Sequence, residues 1–162
     1  MDIQTLGRLI AERRKALGLT QERLARMAGL SRRTIQSLES GTLDDLGFGR
    51  ISRITSLLGI PLATSTEGRA QKRGLWSAAK NASVSYRGEL SEDMLEHILA
   101  TTEVPEGFEA HIGHFLDESP LDYVVMAVEE AAQIERCKPV DIWANIAKLA
   151  EQFAINRQAL WQ

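Results

Sequence analysis

The sequence predicts a mainly α-helical protein in two parts, and three observations support this fold class. Apolar residues recur three and four positions apart through most of the chain, which is the spacing of helices with one buried face. Glycine, serine, threonine and proline stand where these stretches begin and end. The charge changes sign, from a net +6 over residues 1–73 to −9 over residues 74–162. We therefore expect a basic helical domain at 1–66, a linker at 67–74 and an acidic helical domain at 75–162.

Four short helices are predicted in the basic domain. Thr20 and Ser31 can begin the second and third, because their hydroxyls can accept hydrogen bonds from the first free backbone N–H groups. Gly18, Gly29 and Gly41 follow helix ends, where a left-handed residue is common. The predicted helices cover residues 3–17, 21–28, 32–40 and 47–58. Their expected buried faces hold Ile3, Leu6, Ile10 and Leu17 with Leu9 beside them, then Leu24, Ala25 and Ala28, then Ile35 and Leu38, and finally Phe48, Ile51, Ile54, Leu57 and Leu58.

The segment IPLATST at residues 60–66 follows the fourth helix and predicts a short strand. Its proline restricts the strand to a sheet edge or to a strand start. A lone edge strand is unstable, so a pairing partner is implied.

The sequence of the acidic domain predicts further helices, and the residues that can begin them are identifiable. A serine hydroxyl can cap the first of them, and a proline fits the first position of each of the next three. These starting residues are Ser91, Pro105, Pro120 and Pro139, and a last short helix is expected to hold Leu160 and Trp161.

The stretch TQERLARMAGLSRRTIQSLE, residues 20–39, has the spacing of two short helices that cross at a steep angle. Ala25 is small where the two backbones would meet, and Gly29 stands in the turn between them. Apolar anchors for the crossing are expected at Leu24, Ile35 and Leu38. An ordinary corner between two helices is the alternative, and the agreement of spacing, caps and basic side chains disfavours it.

The sequence LGRLIAERRKALGLTQERLARMAGLSRRTIQSLESG resembles the Xre/Cro-repressor helix-turn-helix family, with similarity over about residues 3–60. The resemblance implies a lambda-repressor-like domain of five elements whose third helix enters the major groove of double-stranded DNA. A basic domain suits such a polyanion.

The resemblance also implies which residues contact DNA. Base contacts are expected from Arg32, Arg33, Gln36 and Ser37, since an arginine in the first turn can bind guanine O6 and N7 together. Contact with phosphates alone is the alternative for the two arginines. The further phosphate contacts expected are Gln21, Thr34, Thr42, Arg50 and Arg53, although a solvated position is equally open for the last two.

Two further features of the resemblance concern structure and assembly. Arg14 and Glu39 stand where the family has an ion pair between helices one and three. LLGIPLATST resembles the strand of HipB-type antitoxins, which pairs with its two-fold mate. This implies a homodimer that binds a palindromic operator, with Ile60, Leu62 and Thr64 in the dimer strand.

The tail SVSYRGELSEDMLEHILATTEVPEGFEAHIGHFLDESP resembles the C-terminal part of regulators that accompany AbiEii-type nucleotidyltransferase toxins. The leading hypothesis is therefore an autorepressor and antitoxin whose acidic half binds the toxin. The alternative is a stand-alone Xre-type repressor whose second half binds a small-molecule effector or only oligomerises. An enzyme with a DNA-targeting domain is disfavoured, because no catalytic constellation is evident.

The remaining residues predict neither catalysis nor a cofactor. His111 and His114 could share a helix face, but no cysteine lies near them, so no metal site is expected. The single cysteine, Cys137, excludes an internal disulfide and suits a reducing cytoplasm. No apolar run approaches the ~20 residues of a membrane helix. We expect a cytoplasmic, nucleoid-associated protein.

Overall fold

The computed structural model describes residues 3–61, 73–84, 86 and 88–161, and the regular structure in these ranges is helical. The chain divides into two compact units, unit 1 (residues 1–68) and unit 2 (residues 69–162). None of the described helices is long and apolar enough to cross a membrane. The helices are α1 (Ile3–Ala16), α2 (Gln21–Ala28), α3 (Arg32–Glu39), α4 (Phe48–Leu57), α5 (Gly74–Ala82), α6 (Glu92–Thr101), α7 (Glu109–Asp117), α8 (Leu121–Ile134), α9 (Pro139–Gln152) and α10 (Gln158–Trp161).

Unit 1 is built around α3, which packs against α1 and α2, while α4 packs against α2. The side chains at the centre of this packing are fully buried, as the apolar spacing predicts. The four predicted helices are confirmed, with end points that agree to within one residue. The fully buried residues include Ile10, Leu24, Ile35, Leu38 and Ile54.

Local hydrogen bonds define the turn between α2 and α3. The Thr20 hydroxyl accepts from the Arg23 N–H at 3.0 Å, and the Ser31 hydroxyl accepts from the Thr34 N–H at 3.0 Å. Gly29 adopts φ 66° and ψ 37°, a left-handed conformation that a glycine enters without a Cβ clash. The caps and the turn predicted from the sequence are confirmed at these three positions.

One predicted core residue of unit 1 lies instead at the surface. Phe48 is 76% exposed, because it is the first residue of α4 and nine helical positions place it half a turn from the buried Leu57. Leu9 is 38% exposed, since it lies at the edge of the α1 face that buries Leu6 and Ile10. The prediction that Phe48 packs inward was wrong, whereas Leu9 lies beside the buried face, where it was expected.

In unit 2, α8 packs against α5, α6 and α9, and α9 also contacts α7 and α10. Trp143 of α9 stacks on Trp161 of α10, with ring centroids 6.3 Å apart, and both rings are fully buried. The Ser91 hydroxyl caps α6 by accepting from the Met94 N–H at 3.1 Å. Pro120 immediately precedes α8 and Pro139 is the first residue of α9, so these three predicted helix starts are confirmed.

Two features of unit 2 differ from the sequence prediction. Helix α5 was not predicted, and its first residue, Gly74, was assigned to the linker. Gly74 is required there, because a Cβ would overlap the backbone of Met126 in α8. Pro105 does not open a helix: a turn in which the Phe108 N–H donates to the Pro105 carbonyl precedes α7, which begins at Glu109.

The predicted dimer strand lies almost entirely outside the described residues. Ile60 and Pro61 are described and have no regular structure, while residues 62–66, including Leu62 and Thr64, fall outside. No strand occurs among the residues that the structure describes. The strand and its pairing remain a prediction.

A buried ion pair joins the helices of unit 1. The Arg14 guanidinium donates through Nε to Glu39 Oε1 at 2.6 Å and through Nη2 to Oε2 at 2.9 Å. Its Nη1 donates to the Leu19 carbonyl at 2.7 Å, and the Gln21 amide donates to Glu39 Oε2 at 2.9 Å. The two charged side chains are only 9% and 7% exposed. One carboxylate therefore links the end of α3 to α1 and to the start of α2.

The ionisation of Glu39 depends on this network. Burial alone raises the pKa of its carboxyl, but hydrogen bonds from Arg14 and Gln21, together with the charges of Arg14 and Lys15, lower the pKa overall. The folded state thus favours the charged carboxylate more than the unfolded chain does.

Gly7 allows α1 and α3 to approach each other at backbone distance. A Cβ at this position would overlap the Leu38 carbonyl oxygen and lie 3.0 Å from its carbon. Any other residue would push the two helices apart.

We predict that Gly7→Ala lowers the free energy of unfolding of unit 1 by about 2 kcal/mol, because the new methyl group overpacks the contact with α3. The matched control is Gly49→Ala in α4, where a Cβ meets nothing within 4 Å. This control should gain about 0.5–1 kcal/mol from helix propensity. Urea denaturation followed by circular dichroism measures both, and tryptophan fluorescence reports unit 2 separately, since residues 1–68 contain no tryptophan. Equal effects of the two substitutions would contradict the close contact.

We also predict that Glu39→Gln lowers stability by about 2 kcal/mol at pH 7 and that the difference from the wild type shrinks in acid. The pKa of Glu39 is lowered from 4.5 on folding, so its contribution is complete above that pH. It is lost as the pH falls through the folded-state pKa. Urea denaturation between pH 7 and pH 3.5 measures this, with the exposed Glu12→Gln as control. A stability difference that does not change with pH would show that the charge of Glu39 is not involved.

Candidate DNA-binding surface

Helix α3 presents a polar face to solvent and an apolar face to the core. Arg32, Arg33 and Gln36 are exposed, while Ile35 and Leu38 are fully buried. The eight residues of α3 span about 12 Å, a length that fits within the major groove of DNA. The structure therefore brings three of the four predicted base-contacting side chains onto one accessible surface.

Hydroxyl groups form hydrogen bonds at both ends of α3. At the start, the Thr34 hydroxyl lies 2.8 Å from the Ser31 hydroxyl. At the end, the Ser37 carbonyl accepts from the hydroxyls of Ser40 at 3.2 Å and Thr42 at 3.3 Å. Ser37 and Thr34 are half-buried, and Thr42 is exposed. The predicted DNA-contacting groups of Thr34 and Thr42 thus also stabilise the helix ends.

Gln21 lies at the start of α2 with its side chain turned partly towards the protein. Its amide nitrogen donates to Glu39, and the residue is half-buried. Gln21 was predicted to contact phosphate, but one N–H of its side-chain amide is already used in the Arg14–Glu39 ion-pair network inside unit 1.

The arginines of unit 1 differ in what they contact. Arg50 is exposed near the start of α4. Arg53, expected at a phosphate, donates from Nη1 to the Ala28 carbonyl at 3.2 Å and so holds the end of α2. Arg13, which was not singled out in the sequence, donates from Nε to the Leu58 carbonyl at 2.9 Å. A cation at a helix C-terminus is favourable, but these contacts span 25 and 45 residues and leave no local signal.

The accessible charge of this surface suits a polyanion. Arg32, Arg33 and Arg50 are exposed, and guanidinium groups can donate both to base edges and to phosphate oxygens. In the described part of the chain, His, Cys, Asp and Glu side chains form no group of three or more that could hold a metal ion. The surface is suited to binding by hydrogen bonds and charge.

Comparison with known proteins matches this part of the chain to one family. A family model described as helix-turn-helix matches residues 10–64, about a third of the chain. No curated protein and no solved structure matches the sequence. The match covers α2, the turn at Gly29 and α3, where the exposed arginines lie. Residues 10–64 are therefore a helix-turn-helix domain of the Xre/lambda-repressor type, which supports a DNA-binding transcriptional regulator.

Proposed function

We propose that this protein is a sequence-specific repressor and the antitoxin of a toxin–antitoxin operon. In this proposal a homodimer binds a palindromic operator through unit 1, and the acidic unit 2 binds the toxin. The protein is not an enzyme, and it acts in the cytoplasm at the nucleoid.

The exposed face of α3 carries the operator-binding part of the proposal. Arg32, Arg33 and Gln36 project from a helix whose opposite face is fixed by Ile35 and Leu38. Side chains that project from a fixed backbone can reach base edges in the major groove, where each base pair presents its own pattern of donors and acceptors.

The dimer follows from the size of this surface. One helix-turn-helix unit makes few base contacts, and two-fold symmetric proteins of this class bind two half-sites about one helical turn apart. The predicted strand at residues 60–66 offers a pairing element for such a dimer. The operator is therefore expected to be palindromic.

The antitoxin part rests on the second half of the chain. Its resemblance to regulators that accompany AbiEii-type toxins supports a toxin partner. Its charge supports a partner with a basic surface, since residues 74–162 hold 15 Asp and Glu but only 6 Lys and Arg. DNA would repel the same charge, so the two halves are suited to different partners.

We predict that Arg33→Ala costs about 1–3 kcal/mol on the operator and relaxes specificity at one base position. Arg50→Ala should weaken operator and scrambled DNA to the same degree, because a phosphate contact does not depend on sequence. Binding titrations on both DNAs at several salt concentrations measure this. Equal losses on both DNAs for Arg33→Ala would limit Arg33 to phosphate contact.

The division of labour between the units gives a second prediction. A chain that ends at residue 72 should still bind the operator but fail to neutralise the toxin, which is expected to be encoded by the neighbouring gene of the operon. Arg33→Ala in the full chain should do the reverse. Co-expression and growth measure neutralisation, and operator titration measures binding. Neutralisation by the truncated chain would contradict the role of unit 2, and a full chain that never neutralises would favour an effector-binding or oligomerising second half.

A further inference from the structure

A shallow groove on unit 2 lies between α5 and α8. Most of its lining comes from one face of α5, and a tyrosine of α8 forms the opposite side. The lining residues are Trp76, Ser77, Lys80, Asn81, Val84 and Tyr123.

Large apolar side chains in this groove face solvent. Trp76 is 49% exposed and Val84 is 78% exposed, although the other face of α5 already packs into the core of unit 2 through residues such as Leu75 and Ala78. Trp76 lies in the first turn of α5, and Val84 follows the C-cap Ser83 in the turn after the helix, where its N–H donates to the Asn81 carbonyl at 3.4 Å. Trp and Tyr are also the residues that contribute most to binding at protein interfaces.

Among the residues that the structure describes, Lys80 is the cation that lines the groove, and it has an acidic partner. Lys80 pairs with Glu89, and both side chains are at least half exposed. The positive charge of Lys80 is therefore balanced by Glu89.

The loop before α8 brings an acidic segment of the chain near the groove. The Asn81 side chain accepts a hydrogen bond from the Ser119 hydroxyl at 2.8 Å, which places the loop before α8 beside the groove. Glu118, next to Ser119 in this loop, has a side chain that is 68% exposed and lies 3.4 Å from His114 Nδ1. Asp122 directly precedes Tyr123 and lies in the first turn of α8. A partner with positive charges around an apolar stripe would complement this arrangement.

We propose that this groove binds a basic amphipathic helix of a partner protein. The apolar face of that helix packs on Trp76, Val84 and Tyr123, and its Lys or Arg side chains lie against Glu118 and Asp122. The inference rests on the proposed function in taking the toxin as the partner, and it adds the surface and the chemistry of recognition.

The test uses the full chain and two dye-labelled synthetic helical peptides. Both peptides carry leucines on one face, and the other face carries lysines in the first peptide and glutamates in the second. Fluorescence anisotropy measures binding, and the indole N–H resonance of Trp76 reports the site, since Trp143 and Trp161 are fully buried. Val84→Ser has a matched control in Val140→Ser, an exposed valine of α9.

The lysine peptide should bind and shift the Trp76 resonance, and the glutamate peptide should not. Trp76→Ser should weaken binding about tenfold or more and Val84→Ser should weaken it less, while Val140→Ser leaves it unchanged. Equal binding of the two peptides, or unchanged binding by Trp76→Ser, would overturn the proposal. If Trp76→Ser instead abolished self-association without affecting the peptide, the occupant would be a second copy of this chain.

Co-expression separates the groove from the proposed function. If the wild type neutralises the toxin and Trp76→Ser does not, while both bind the operator, the groove is the toxin-binding surface. If both neutralise, the groove assignment fails and the antitoxin function stands. If neither neutralises but the peptide results hold, the antitoxin function fails and the groove still binds a basic helix.

Discussion

The buried ion pair of Arg14 and Glu39 fixes the positions of α1, α2 and α3 relative to one another in the DNA-binding unit. Helix α3 has only eight residues, and an isolated helix of that length is not stable in water. Its order therefore depends on contacts with the rest of unit 1. The Glu39 carboxylate supplies several of these at once, because it accepts from Arg14 of α1 and from Gln21 of α2. Removing either charge would leave the other poorly solvated, which costs more than the pair itself contributes.

The arginines of unit 1 fall into two groups that differ in what their guanidinium groups contact. Arg13 and Arg53 donate to backbone carbonyls at the ends of α4 and α2, and so fix helices. Arg32 and Arg33 extend from α3 into solvent. The fold thus uses some guanidinium groups within unit 1 and leaves others accessible at the surface.

Local signals explain what could be predicted from the sequence. Hydroxyl caps and a turn glycine act over three or four residues, so Thr20, Gly29 and Ser31 were enough to place α2 and α3 to within a residue. Helix α5 was missed because its buried face is made largely of alanines such as Ala78 and Ala79, which give a weak apolar pattern.

Contacts between distant residues explain most of what could not be predicted. The partner of Arg53 is a carbonyl 25 positions away, so nothing in its own neighbourhood distinguishes it from Arg50. Phe48 has the apolar character of a core residue, but where α4 begins decides which way it faces. The exposed face of α3 was predictable because its buried residues determine which positions remain outside.

The close contact at Gly7 has a consequence for how unit 1 binds DNA. Because α1 and α3 touch at backbone distance at Gly7, α3 cannot move closer to α1 at this point. Its backbone order is established when the domain folds, before DNA arrives. The conformational entropy of that helix is then not lost a second time on association, and only the exposed side chains must become ordered. Association with DNA at this surface would therefore order the flexible side chains of α3 on a helix backbone that is already in place.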